Sequence, residues 1–368
     1  MNAMRIVLIT PEFPQCGRSF GVGRYVSDLA ACLGETGATV LVLASTDSGN
    51  FIVRPGQDPQ LVGKGHRHLL LRPLLASPWL NREIARFAAD VIDVPNWGGL
   101  GAFLRHPCPC VVRLVTSASD PSLAHGDRLL PLRILLERLA VRRAARLISD
   151  SAAMAEVSRR IYARTPDEII HLAYRGQISP LVPRATPSAL FVGRLESRKG
   201  IDILLDAWPA VRLALPDAHL HVVGPDKGGF AARVSSTPGV TWHGFADDAT
   251  LAGLRSTCRV QVIPSRFESF GLVALEAWAA GMAVVASNAG SLPSIIGEAG
   301  VIAASENPPA LAVALLSALK VERAADLGRL GQTRLEACFM PRLLAARSLA
   351  AYTSALSQKV SGWKGADG

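Results

Sequence analysis

No two of the six cysteines, at 16, 32, 108, 110, 258 and 338, stand at CxxC spacing, and none has a histidine at a spacing typical of metal ligands. A disulfide framework and a metal centre are therefore poorly supported, and the thiols read as reduced. No apolar run reaches the roughly eighteen residues of a membrane span. The start, MNAMRIVLIT, lacks the basic region, long apolar stretch and small-residue cleavage site of a secretory leader, which gives a cytoplasmic expectation. Two phosphate-binding signatures are also missing. Gly21 and Gly23 of GVGRYV have Val26 where a dinucleotide fingerprint needs its third glycine, and Arg198 precedes Lys199 where a Walker loop needs glycine. Histidines are scattered, with HRH at 66–68 in a polar, glycine-containing stretch.

What is present is a long, apolar, basic chain. Its 368 residues suffice for two domains with cores of their own, and 49% hydrophobic against 19% charged residues excludes disorder. Short apolar runs alternate with helical patterns, the signature of βαβ units and parallel sheets. RIVLIT, TVLVLAS, HLLLRP, DVIDVP, CVVRLVT, RLISDS and EIIHLAY read as strands of a first half, and SALFVGR, LHVVGP, VTWHGF, VQVIPS, AVVASN and GVIAA as strands of a second. RGQISPLVPRATP, with three prolines and no apolar period, reads as the linker. These features predict domains over 1–178 and 188–338, then a helix and a frayed tail over 339–368.

The net charge of +9 is concentrated in DRLLPLRILLERLAVRRAARLIS, where Arg128, Arg133, Arg138, Arg142, Arg143 and Arg146 interleave with leucines. A solvated helix face and a helix docking on anionic lipid headgroups fit this pattern equally. Nucleic acid fits less well, because no stacking aromatics accompany the arginines.

In FVGRLESRKG, Gly193 and Arg194 end a predicted strand, and Lys199 and Gly200 precede the helix IDILLDAWPAVRLAL. Two cations at a strand-to-helix junction favour an anion, and a diphosphate uses both; ordinary surface charge on a loop is the alternative. GVGRYV offers close backbone approach to a ligand, or simply a tight turn. The stretch SRFESFGLVALEAWAAG places Glu268 in a loop and Glu276 in a helix of small apolar residues, so both acids need partners. A vicinal diol of a sugar would accept such a carboxylate as partner, and the N–H groups of Gly271 and Leu272 at the helix start suit phosphate; solvation or an ion pair is the plainer reading.

With GRLESRKGIDILLDAW, HVVGPD, WHGF, IPSRFESFGLVALEAWAAGMAVVAS and GSLPSII in order, and PEFPQCGRSFGVGRYVSDLA near the start, the chain resembles the retaining glycosyltransferases of family 4 with the GT-B fold. The resemblance implies two Rossmann-like domains facing each other across a cleft, the C-terminal one holding a nucleotide sugar, the N-terminal one shaping the acceptor site, and the last helix crossing back to the N-terminal domain. It implies that Arg194 and Lys199 neutralise the donor diphosphate and that Glu268 holds donor-sugar hydroxyls. Backbone groups around Ser269, Phe270, Gly271 and Leu272 would bind phosphate or sugar, Glu276 the ribose diol, and Gly21, Gly23 and Gly193 would line the donor. No metal or other cofactor is implied, because the cations stand in for one. Front-face transfer with retention follows, in which neither glutamate is a nucleophile, unlike the paired carboxylates of glycosidases. Many relatives have a histidine facing the donor sugar where this chain has Val115; His125 is ten residues on.

The expectation is a hexosyltransferase using a UDP- or GDP-linked sugar and a glycan or lipid-linked acceptor, cytoplasmic or peripheral on the membrane face, in cell-surface polysaccharide assembly. The alternatives are a sugar-nucleotide epimerase or phosphorylase of the same architecture and a nucleotide- or partner-binding subunit without turnover; a nicotinamide enzyme lacks its fingerprint.

Overall fold

A computed structural model describes residues 3–16, 21–65, 70–116 and 130–362. His66, His68, His125 and Arg128 lie outside the described residues. The chain divides into two compact units, Met1–Ala173 with Pro341–Gly368, and Tyr174–Met340.

Among the described residues the first unit forms an eight-stranded sheet with helices packed on it. Its strands are β1 (Arg5–Thr10), β2 (Thr39–Ser45), β3 (Gly49–Val53), β4 (Gln60–Lys64), β5 (Val91–Pro95), β6 (Cys110–Leu114), β7 (Arg146–Ser149) and β8 (Glu168–Ile169), in the order β4-β3-β2-β1-β5-β6-β7-β8. Six strands run parallel, and β3 and β4 add an antiparallel edge. The apolar runs of β1, β2, β5 and β6 are buried nearly end to end, as strands covered on both faces must be. β4, exposed along its whole length, carries no such pattern, and the sequence reading missed it along with β3.

The helices of this unit are α1 (Gly21–Glu35), α2 (Arg72–Phe87), α3 (Leu130–Arg143) and α4 (Ala152–Tyr162), with a 3-10 segment at Trp97–Phe103. The described part of HLLLRP, residues 70–73, is not strand: Pro73, with its fixed φ, lies in the first turn of α2, and Leu71 already has helical backbone. Only the first two residues of EIIHLAY pair in the sheet. Ser151 caps α4 by accepting the Met154 N–H at 3.2 Å.

The second unit has strands β9 (Ser188–Val192), β10 (His219–Val223), β11 (Val240–Trp242), β12 (Val260–Ile263), β13 (Ala283–Ser287) and β14 (Val301–Ala303), all parallel in the order β11-β10-β9-β12-β13-β14. Its helices are α5 (Ile201–Ala214), α6 (Ala231–Ser236), α7 (Asp248–Thr257), α8 (Leu272–Ala279), α9 (Leu292–Ile296), α10 (Pro308–Ala318) and α11 (Val321–Cys338). Trp208 of α5 and Trp278 of α8 are fully buried. The proline-rich segment before β9 is fixed to this unit: the Arg184 guanidinium donates to the Gly281 carbonyl at 2.9 Å and its own carbonyl accepts from Arg259 Nε at 2.7 Å.

The last helix, α12 (Pro341–Gly362), belongs to the first unit. Its Tyr352 hydroxyl donates to Asp93 Oδ2 at 2.7 Å, and its Ser348 hydroxyl accepts from Arg113 Nη2 at 3.1 Å. Asp93 and Arg113, buried on β5 and β6, pair at 2.8 Å. Burial pushes the phenols of Tyr25 and Tyr352 well above the usual tyrosine range, so both stay neutral, and the Tyr352 hydroxyl can donate to Asp93.

Candidate functional site

In the second unit the strand order reverses beside β9: the chain runs from β9 outward through β10 to β11, then returns to the other flank of β9 with β12. Ligands of open parallel sheets bind outside the carboxyl ends of the strands at such a switch point. The loops leaving those ends are Gly193–Gly200 and Pro264–Gly271, which hold most of the candidate residues of this unit. Topology brings them together across about seventy residues of sequence.

Lys199 Nζ lies 2.6 Å from Glu268 Oε2, with both side chains mostly buried, at 19% and 13% exposure. Ser265 Oγ approaches the same oxygen at 3.4 Å. Burial alone would push the Glu268 carboxyl up; the Lys199 ammonium, its hydrogen bond and the nearby Arg198 outweigh it and hold the carboxyl below the usual range. Arg194 is the more solvated cation, 40% exposed, with Nη2 3.0 Å from Glu196 Oε1. Arg198 meets the same oxygen at 3.2 Å.

The loops are held by backbone geometry. Gly200, at φ +69°, ends the 3-10 turn Ser197–Lys199 and precedes α5; a Cβ there would run into the Pro264 carbonyl at the end of β12. Gly271, at φ +100°, is the N-cap of α8, and the N–H groups of Gly271 and Leu272 lie where a helix start leaves donors without intrahelical partners. Phe270 is buried and packs edge-on against Phe339 at 5.9 Å between ring centroids, so its ring belongs to the core. Ser269 stands half-buried between Glu268 and Phe270. Gly193 has ordinary clearance, and its N–H donates to the Val223 carbonyl at 2.9 Å; the tighter approach is Gly224, whose Cβ would strike the Gly193 carbonyl.

Several residues that sequence reasoning passed over position these loops. Arg266 forms a bidentate pair with Asp202 at 2.9 and 2.7 Å, a further bond to Glu306 at 2.9 Å, and contacts the Ser197 carbonyl, tying the Glu268 loop to the start of α5. Ser291 Oγ donates to the carbonyls of Glu268 and Phe270, both at 3.0 Å, and Gly290 packs on the Glu268 backbone. The signal for this pair was GSLPSII, which had a place in the motif series and no role. Glu276, on α8, is ion-paired with Arg255 of α7. The plainer expectation that the acids find cations thus describes both, and the cation that Glu268 meets, Lys199, is itself a candidate site residue.

In the first unit Gly21 is the first residue of α1 and Gly23 lies in its first turn, so GVGRYV is helix and not the loop that sequence reading expected. The Gly23 N–H donates to Glu12 Oε1 at 2.9 Å. Val115 is buried past the end of β6, its N–H donating to Asn96 Oδ1 at 3.2 Å. Asn96 in turn donates to the Thr116 carbonyl and reaches the Tyr162 hydroxyl at 3.2 Å, which donates to buried Glu137 at 2.5 Å.

The basic segment is not one helix over 128–146. α3 ends at Arg143, and Arg146 sits on β7 facing Glu168 at 3.6 Å. Arg138 donates to the Ile161 carbonyl at 2.6 Å, and Arg143 to those of Ala102 and Leu104 at 3.1 and 3.2 Å. These guanidiniums close the ends of neighbouring segments, and apolar Leu132 and Leu135 are exposed on the same helix, so the expected separation into apolar and basic faces is absent. Among the described residues no cluster of three or more metal-ligating side chains is found, and no helix is long and apolar enough to cross a membrane.

Residues 186–320 match the family described as glycosyl transferases group 1, and residues 20–173 match the glycosyl transferase 4-like domain. The chain belongs to this glycosyltransferase family, with the GT-B fold. It is similar to glycogen synthase of Mycobacterium tuberculosis, at 26% identity over 96% of this chain and 95% of that protein. Among solved structures it is similar to sucrose-phosphate synthase from Thermosynechococcus elongatus, at TM-score 0.78 and 21% identity over 96% and 100% of the two chains. It is also similar to HepE of Anabaena in complex with UDP and glucose, at TM-score 0.69 and 18% identity over 95% and 100%.

Proposed function

We propose that this glycosyltransferase moves a hexose, with retention and without a metal, from a UDP- or GDP-linked sugar to a hydroxyl of a glycan or lipid-linked acceptor in cell-surface polysaccharide assembly. The observation that carries the donor assignment is the Lys199–Glu268 pair at the switch point with Arg194 on the same loop. The UDP and glucose named for HepE favour uridine and glucose as first candidates.

In this reading Arg194 and Lys199 neutralise the diphosphate as the glycosidic bond breaks, which lowers the barrier by stabilising charge that develops on the leaving group. Glu268, ionised by its cations, accepts hydrogen bonds from donor-sugar hydroxyls. The N–H groups of Gly271 and Leu272, with Ser269, Phe270 and Gly193 beside them, bind phosphate or sugar. Glu276 takes the ribose diol, with Arg255 fixing its orientation. Gly21 and Gly23 offer backbone to phosphate, for which Glu12 must release the Gly23 N–H. The departing phosphate oxygen takes the acceptor proton.

The test is thermal unfolding with UDP, GDP and ADP in the presence of a chelator, for the wild type and Lys199→Ala. Stabilisation by one diphosphate that the variant loses supports the donor site; a ligand at a hundred times its dissociation constant adds about 2.7 kcal/mol. No stabilisation by any of the three refutes it and favours a binding subunit without turnover, a reading to which buried Val115 lends itself because it can move no proton. With a matched donor sugar, inversion of the anomeric configuration in the product would refute retention. A lipid-linked acceptor would bring exposed Leu132, Leu135 and Arg142 of α3 to an anionic bilayer, and failure to co-sediment with anionic vesicles would remove that partner.

A further inference from the structure

Glu196 stands at the N-cap position of the 3-10 turn Ser197–Lys199, yet its side chain makes no capping hydrogen bond. Its Oε1 instead lies 3.0 Å from Arg194 Nη2 and 3.2 Å from both Nε and Nη2 of Arg198. The turn is held without that carboxylate, by backbone bonds from Lys199 N–H to the Glu196 carbonyl and from Gly200 N–H to the Ser197 carbonyl, both 3.0 Å. The carboxylate is therefore committed to charge. Arg194, Arg198 and Lys199 face Glu196 and Glu268, which leaves little positive excess for an incoming anion.

The two arginines are not equivalent partners. Arg198 is only 16% exposed and also faces Glu268, whereas Arg194 is 40% exposed and its bond to Glu196 is correspondingly weak. A diphosphate reaching Arg194 would displace it from Glu196 or bind beside that negative charge, and either costs affinity.

We propose that Glu196 is an internal counter-ion which holds Arg194 while the site is empty, competes with the diphosphate for it, and so favours release of the nucleoside diphosphate product. The inference rests on the donor-site reading above. Glu196 is a positioning residue here, acting through Arg194.

The experiment measures affinity and dissociation rate for UDP, GDP, ADP and the corresponding nucleosides on the wild type, Glu196→Gln, Arg194→Ala and their combination. Lys199→Ala serves as an independent check on the donor site. Glutamine keeps the size and one hydrogen-bonding oxygen while removing the charge. The expected result is roughly two- to fivefold tighter diphosphate binding in Glu196→Gln, with slower dissociation and unchanged nucleoside affinity. That gain should vanish in the Arg194→Ala background. A Glu196 that merely braces the loop would instead weaken binding when replaced. If diphosphate binds the wild type and is lost in Lys199→Ala, but Glu196→Gln binds no tighter, the counter-ion inference is overturned and the donor site stands. If neither wild type nor Glu196→Gln binds any diphosphate, both fall.

Discussion

Replacing Lys199 by alanine would leave Glu268, whose side chain is 13% exposed, as a mostly buried carboxylate without its 2.6 Å partner. Removing one partner of a fully buried pair costs about 3–5 kcal/mol, and an exposed pair is worth about 0.2–1 kcal/mol. With side chains 19% and 13% exposed, and Ser265 and Arg198 left to compensate, the expected loss is about 2 kcal/mol. At about 2–4 °C per kcal/mol for a domain of 150–250 residues, the unfolding midpoint of the second unit should fall by about 4–8 °C at pH 7. The assay is calorimetric unfolding of the wild type, Lys199→Ala, Glu268→Gln and the double variant. The double variant should lose clearly less than the sum of the singles, because Glu268→Gln removes the charge that Lys199→Ala strands. The pH dependence has a definite sign. Because the Glu268 carboxyl sits below its ordinary 4.5, the pair stabilises the fold above that pH and the contribution is lost as pH falls through the folded value. The deficit of Lys199→Ala should therefore shrink on acidification. Additive single losses, or a deficit that persists after Glu268 is protonated, would refute the reasoning.

Gly200→Ala should be severe, since a Cβ at φ +69° meets the Pro264 carbonyl; nucleotide affinity and folding yield should both drop, and wild-type binding in this variant would contradict the loop geometry. Glu276→Ala should weaken nucleoside and nucleoside diphosphate alike by calorimetric titration, whereas loss confined to the diphosphate would remove it from the ribose. His221, its ring tilted against those of His219 and His243 and its Nδ1 3.0 Å from His243 Nε2, is pushed down to about 4 by burial and by those neighbours. The unfolded chain then takes up that proton first, so stability should decline as pH falls from about 6.5 to 4, and His221→Asn should flatten the decline in an unfolding series. Asp93→Ala would strand the fully buried Arg113 and should destabilise the first unit by about 3–5 kcal/mol, read by denaturant unfolding.

Local patterns carried much of this protein. Continuous buried apolar runs such as RIVLIT and VQVIPS identify parallel strands because both of their faces must be covered, and FVGRLESRKG and SRFESFG announce strand-to-loop-to-helix junctions through their glycines and charges. Where a segment's conformation depends on partners far away, the sequence is silent. β4 exists only through its antiparallel pairing with β3, and HLLLRP has a strand's composition but Pro73 turns its last residues into the start of α2. The 2.6 Å approach of Lys199 to Glu268 and the staple from Arg266 to Asp202 join loops that only the reversal of strand order beside β9 makes neighbours, and the bond from Ser291 to the Glu268 carbonyl joins the loops after the adjacent strands β12 and β13. The arginines around α3 make the same point from the other side. Their spacing suggested a charged surface, but the fold gives Arg138 and Arg143 backbone carbonyls to satisfy, because helix and loop ends leave acceptors that need donors. Sequence thus determined which residue types stand at each strand end, and tertiary structure decided which of them meet, since side-chain chemistry is local while contact is set by the topology of the sheet.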